Sequence, residues 1–433
     1  MIMKKKSALA LCAAVMFAFA AIPAAAGAEG AKPVDDYRIV AVGDSLTVGY
    51  QHGMTETSIP YGYVDRIYEQ ALFHGRSELG NYGILGLKTP GLIKLLDGAA
   101  AGTPLKVDDL ENYSKDENAR IIAQADSVAK KTPALKEDLA KADLVVLTIG
   151  ANDMTSFLRS VISLPAADAK KKIDSEIDAL LNNYATNVKT ALTKLQSLAP
   201  NARFVMADQY LPLPRMQYAW SDNTEIYDYL YPNVVSKLTN AVDNLAATLR
   251  QEGVDITAVH IADKFKGHEG DWTYVLTSTE RDIHPNKDGY QAMAESYADA
   301  IWHEYRKPAA LAANVPISVI VNGKELNSEY KPALVNSRTY LALRDVTENL
   351  GMELQWIAKT KTAVLTKPGH VVSITAGEST MTVNGVKQPI PVAAFMKKFN
   401  NESKMYVPLA IVAQAIDYQV VYRQTLKAAF INS

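Results

Sequence analysis

Up to about residue 305, hydrophobic positions along this chain follow two alternating rhythms. Short, near-continuous apolar runs occur at 37–42, 79–82, 144–149, 203–207 and 256–261. Between them lie longer stretches with apolar residues every third or fourth position, at 62–73, 118–130, 170–198, 233–252 and 286–305. Runs without alternation mark strands whose sheet is covered on both faces, and a 3.6-residue period marks amphipathic helices. The order predicts a doubly wound parallel sheet: a three-layer α/β/α sandwich, flavodoxin-like in kind. Ligands of such sheets bind beyond the carboxyl ends of the strands. Two stretches exceed what this frame needs: a mixed, charged one at 90–142, and one at 208–232 rich in tyrosine. The second reads equally as a cleft wall or as aromatic packing against the sheet.

After residue 305 the pattern changes. An alanine-rich stretch between Pro308 and Pro316 reads as a linker over 308–315. A strand-like run at 317–321 then meets Asn322-Gly323, a hairpin turn signal. A block at 336–344 leads into a short helix at 345–350 and a strand around 354–356. About 66 residues on, the pattern recurs. Tyr340, Leu341, Leu343, Val346, Leu350 and Trp356 match Tyr406, Val407, Leu409, Val412, Ile416 and Tyr422. Val321-Asn322-Gly323 likewise matches Val383-Asn384-Gly385. Residues 316–433 therefore read as an α+β domain built by internal duplication.

The first 28 residues stand outside this organisation. Lys4, Lys5 and Lys6 precede an apolar core from Ala8 to Ala21 and an alanine-rich cleavage site, the make-up of a secretory signal peptide. The single cysteine, Cys12, falls inside it, so the mature chain has neither disulfides nor thiolate chemistry. Without the three signal lysines, 42 basic side chains face 47 acidic ones, a net charge of about −5. That balance favours neither nucleic acid nor an anionic membrane as partner, and no later run is long enough to span a bilayer.

The candidate chemistry sits where the strands end. The run 39–42 closes on Gly43-Asp44-Ser45-Leu46; Asn81-Tyr82-Gly83 with Gly86-Leu87-Lys88-Thr89, Gly150-Ala151-Asn152-Asp153 and Asp282-Ile283-His284-Pro285 follow in order. Together these four blocks resemble the SGNH hydrolases, or GDSL esterases and lipases, over residues 37–305. Acyl transfer needs a nucleophile, a base and donors for the oxyanion. The resemblance implies Ser45 as nucleophile and His284 as base. It implies an oxyanion hole of the Ser45 N–H, the Gly86 N–H (preferred to Gly83) and the Asn152 side chain, with no cofactor. Asp44 and Asp153 read as braces for the turns. The chain departs from the family at the triad acid, since Arg281 stands three residues before the histidine and cannot accept the imidazole N–H. Asp282 is the first substitute, Glu280 the second and a backbone carbonyl the third.

Residues 316–433 resemble the domain named for the N-terminal region of copper amine oxidases, widespread in secreted proteins of Gram-positive bacteria. With His370 its sole histidine, copper chemistry is not expected there. The resemblance implies an accessory module that binds a cell-envelope polymer or a partner, or serves as a spacer or folding aid. The whole reads as a secreted or envelope-associated esterase acting on lysophospholipids, short acyl esters or O-acetylated glycans. A glycan-binding adaptor that has lost catalysis is the alternative.

Overall fold

The computed structural model describes residues 36–433 apart from 56, 112, 114–118, 219–220 and 401. The signal-peptide reading of 1–28 lies outside the described residues.

Five strands form the first sheet: β1 Tyr37–Gly43, β2 Ser77–Gly83, β3 Leu144–Thr148, β4 Arg203–Ala207 and β5 Ile256–Val259. Their order is β2-β1-β3-β4-β5, all parallel, the flavodoxin-like order expected from the pattern. Neighbouring side chains point to opposite faces, and both faces are covered. Val40, Val42, Val145 and Leu147 join a cluster with helices α3 Thr89–Ala101, α4 Ala151–Ile162, α5 Ala166–Leu198 and α6 Ser236–Gln251. Ile39, Ala41, Leu144 and Val146 face helices α2 Tyr63–His74 and α7 Lys287–Trp302 on the other side. This double covering explains why the strands carry no polar alternation.

The last strand is shorter than the apolar run 256–261 predicts. Ile261 does not extend β5; it opens a short helix, Ile261–Phe265, buried beneath α7. The stretch 90–142 is largely helical, with Thr89–Ala101, Val107–Leu110, Ala119–Ala129 (the helix expected at 118–130) and Thr132–Ala140. In 208–232, Tyr210, Tyr227 and Tyr231 are buried, and Tyr227 and Tyr231 donate to the buried Glu269. Tyr227 and Tyr231 serve packing, whereas Tyr210 reaches the loop that carries His284; the side chains of Tyr218 and Trp220 lie outside the described residues.

The C-terminal region is β-rich, with helices Leu343–Asn349 and Leu409–Gln414 in equivalent places. Strands Arg338–Ala342 and Glu402–Pro408 pair antiparallel, and the equivalent residues Leu341 and Val407 lie opposite each other. Each half also lends its hairpin to the other half's sheet. The first half's Ser318–Val321 runs beside the second half's Ala428–Asn432. The second half's Thr380–Val383 joins the first half's Thr362–Lys367 through an added strand, His370–Thr375. Such an exchange makes each half incomplete without its twin.

This region packs on the outer face of α2. Ile320, Ala428 and Phe430 close over Leu72 and Phe73, with the Phe73 and Phe430 rings edge-to-face at 5.0 Å. Asn432 donates to the carbonyls of Leu72 and Gly75 at 2.9 and 2.8 Å, satisfying groups at the end of α2. Arg423 reaches Glu69 and Asp65 at 3.0 and 3.2 Å.

Candidate active site

Three strand-end segments, and the loop before α7, converge at the carboxyl edge of the first sheet. Ser45 opens a one-turn helix, Ser45–Val48, and Asp44 caps it by accepting from the Leu46 N–H at 3.0 Å. Gly43 at φ +142 has no room for a side chain, since a Cβ would lie 2.1 Å from the Thr148 carbonyl oxygen. The tight turn therefore brings Ser45 out at the strand's end.

The segment carrying Gly86 hangs from the same edge. The Ile84 N–H donates to the Gly43 carbonyl at 2.9 Å. Gln124 grips the turn twice, accepting from the Leu85 N–H and donating to the Gly83 carbonyl, both at 2.9 Å. Asn152 at the start of α4 donates to the Leu87 carbonyl at 3.0 Å. Asp153 accepts from the Thr89 hydroxyl and N–H, at 2.6 and 3.0 Å. The two glycines now separate physically. A Cβ at Gly83 would meet Val48 N at 2.6 Å, so Gly83 serves close packing. Gly86 sits at φ +75 with open space around it, nothing nearer than Tyr113 at 4.0 Å. Among the described residues the N–H groups of Ser45 and Gly86 meet no protein acceptor. Asn152 keeps a second amide hydrogen beyond its bond to Leu87.

His284 comes from the loop before α7. That loop pairs with 272–274 through the Tyr274 N–H to the His284 carbonyl at 3.1 Å and the Asn286 N–H to the Trp272 carbonyl at 2.8 Å. Tyr210 donates to the Ile283 carbonyl from below at 2.6 Å, and Asn286 caps α7. The Ser45 hydroxyl donates to His284 Nε2 at 2.8 Å, and His284 Nδ1 donates to Asp282 Oδ1 at 2.6 Å. Asp282 thus meets the histidine although it stands only two residues before it. The same Oδ1 accepts the His284 backbone N–H at 2.9 Å, closing a local side-chain turn. Arg281 sits at φ +52 just before, a left-handed residue that redirects the chain. Glu280 is exposed and turned away, 3.7 Å from His52 Nε2.

Electrostatics follow burial. Burial pushes the Asp282 carboxyl up, but the hydrogen bonds and charge of His284, with a further bond from His52, hold it below its ordinary value. Asp44 is fully buried, and desolvation raises its carboxyl to about 7 against weaker opposing bonds from Leu46 and Thr148. Its Oδ2 has no partner among the described residues. Beside the triad a cavity of about 290 Å³ is lined by Val48, Tyr50, Met54, Pro60, Leu85 and Gln124, among others. Tyr50 lines it and reaches the triad, with its ring 4.6 Å from that of His284. Among the described residues no group of three or more His, Cys, Asp or Glu side chains could hold a metal ion, and no helix is long and apolar enough to cross a membrane. Tyr50, His52, Gln124, Tyr210 and Ser278 all support the site. No local signal in the sequence marks them, because their partners lie far along the chain.

Sheet order and site together define a flavodoxin-like α/β sandwich whose serine, histidine and aspartate form one hydrogen-bonded chain at its carboxyl edge. Residues 39–297 match the model of the GDSL-like lipases and acylhydrolases; the protein belongs to that family and is a carboxylic ester hydrolase. Residues 320–431 match the copper amine oxidase N-terminal domain. Similar solved structures include a lipase from a goat rumen metagenome, 19% identical, covering 61% of this chain and 97% of its own, at TM-score 0.38. The extracellular lipase of Streptomyces rimosus is 15% identical, with 61% and 98% covered, at TM-score 0.41. Phospholipase A1 of Streptomyces albidoflavus NA297 is 17% identical, with 61% and 98% covered, at TM-score 0.34. A search of curated proteins returns no match.

Proposed function

We propose that this protein is an exported serine esterase that works through an acyl-enzyme on Ser45. The carrying observation is the unbroken chain from Ser45 Oγ through His284 to Asp282, at 2.8 and 2.6 Å. His284 takes the serine proton as Oγ attacks the ester carbonyl, then gives it to the leaving alcohol. Asp282 keeps the other imidazole proton on Nδ1 and stabilises the imidazolium. The N–H groups of Ser45 and Gly86 and the spare Asn152 amide hydrogen receive the oxyanion; one such donor is worth on the order of 100–1,000-fold in rate. Water, activated by His284, then hydrolyses the acyl-enzyme. No cofactor enters this scheme.

The substrate classes are lysophospholipids, short-chain acyl esters and O-acetylated glycans of the cell envelope. The place of action is outside the cytoplasmic membrane of a Gram-positive bacterium, with residues 316–433 as an accessory domain for an envelope polymer. Hydrolysis of p-nitrophenyl esters from acetate to palmitate by residues 29–433, beside Ser45→Ala, tests the reading. Turnover that vanishes with Ser45→Ala, and phosphonate labelling at Ser45, support it. A folded protein with neither turnover nor labelling is instead a binding adaptor.

A further inference from the structure

Asp282 has two carboxylate oxygens, and the hydrolytic scheme uses one. Oδ1 receives both N–H groups of His284. Oδ2 faces a second histidine, His52, whose Nδ1 lies 3.3 Å away. The other ring nitrogen of His52 lies 3.7 Å from the exposed Glu280, and its ring leans on Tyr274 with centroids 5.7 Å apart. The chain around His52 is held from several sides. Tyr290 donates to the Tyr50 carbonyl at 2.7 Å, Tyr274 donates to the Gln51 side chain at 3.3 Å, and Gln51 donates to the Tyr61 carbonyl at 3.3 Å. The Asp282 backbone is anchored separately, its N–H donating to Ser278 Oγ at 2.6 Å.

We propose that His52 is a positioning residue for ester hydrolysis, donating its Nδ1–H to Asp282 Oδ2 and so fixing the carboxylate that orients His284. The terminal torsion of an aspartate is broad, so a carboxylate bound at one oxygen alone can swing. A donor on the second oxygen removes that freedom, and the His284 ring inherits the order. Preorganisation of this kind enters the turnover step rather than substrate binding. The inference rests on the serine-esterase reading above.

The test is steady-state hydrolysis of p-nitrophenyl acetate by wild type, His52→Ala, His52→Asn, His52→Gln and Ser45→Ala, with the melting temperature of each. Asparagine puts its amide nitrogen near the place of Nδ1, whereas glutamine reaches toward that of Nε2. The expected result is a loss of about tenfold in kcat for His52→Ala, with KM within about twofold. His52→Asn regains most of that loss and His52→Gln does not, while the melting temperatures stay together. Wild-type kcat in His52→Ala, an asparagine variant no better than alanine, or a loss confined to KM overturns the proposal and leaves the esterase reading standing. An inactive wild type, or turnover that survives Ser45→Ala, overturns both.

Discussion

Arg423 joins the C-terminal region to the hydrolase by a buried charge network, and replacing it with alanine is a sharp test of that joint. Its guanidinium sits 3.0 Å from Glu69 and 3.2 Å from Asp65, and rests 5.3 Å from the Tyr68 ring. Glu69 is 2% exposed and Asp65 19% exposed in their side chains. Burial raises both carboxyls above their ordinary values, with Arg423 the largest opposing influence. Removing one partner of a buried pair typically costs 3–5 kcal/mol, because the remaining charge stays desolvated. Asp65 keeps some water, so about 3 kcal/mol is the expected loss for Arg423→Ala at pH 8. The sign with pH follows from the raised carboxyls. The folded state binds protons more tightly than the unfolded chain, so stability falls as pH rises through that range. Without Arg423 the folded values climb further, so the deficit is small near pH 4.5 and full at pH 8. Urea unfolding of the full chain at both pH values, for Arg423→Ala and for the same variant with Asp65→Asn and Glu69→Gln, reads the effect. A stability at pH 8 within about 1 kcal/mol of wild type refutes the argument. So does a failure of the neutral carboxamides to recover most of the loss.

Asp282→Asn leaves the fold intact and lowers kcat on the order of 10³–10⁴-fold, because the amide no longer selects the imidazole tautomer; a loss below tenfold in an ester assay would return the triad acid to Glu280 or a carbonyl. Asp44→Asn removes a buried carboxyl raised to about 7. Wild type loses stability relative to this variant as pH rises from about 4 to 7; parallel melting curves across that window would contradict the assignment. Gly86→Ala folds, with a cost of about 1 kcal/mol for its left-handed backbone, and loses ester turnover. Gly83→Ala, whose Cβ would overlap Val48 N at 2.6 Å, fails to fold, as circular dichroism would report.

By itself the sequence determined the five parallel strands, the strand-end placement of Ser45, Gly86 and Asn152, and the duplication after residue 316. Each of these is local: a strand buried on both faces shows its burial in its own run, and a tight turn shows its glycine. Only the tertiary structure decided that Asp282 meets His284, because that contact needs the left-handed Arg281 and a side-chain turn that spacing rules do not anticipate. It also turned Ile261 into a helix, since an apolar run of this length reads alike as strand end or buried helix start. His52 reaches Asp282 across 230 positions, and Arg423 reaches Glu69 across 354. Such pairings are chosen by which faces the folded layers bring together. A hydrophobic pattern records that a face is buried, not what buries it.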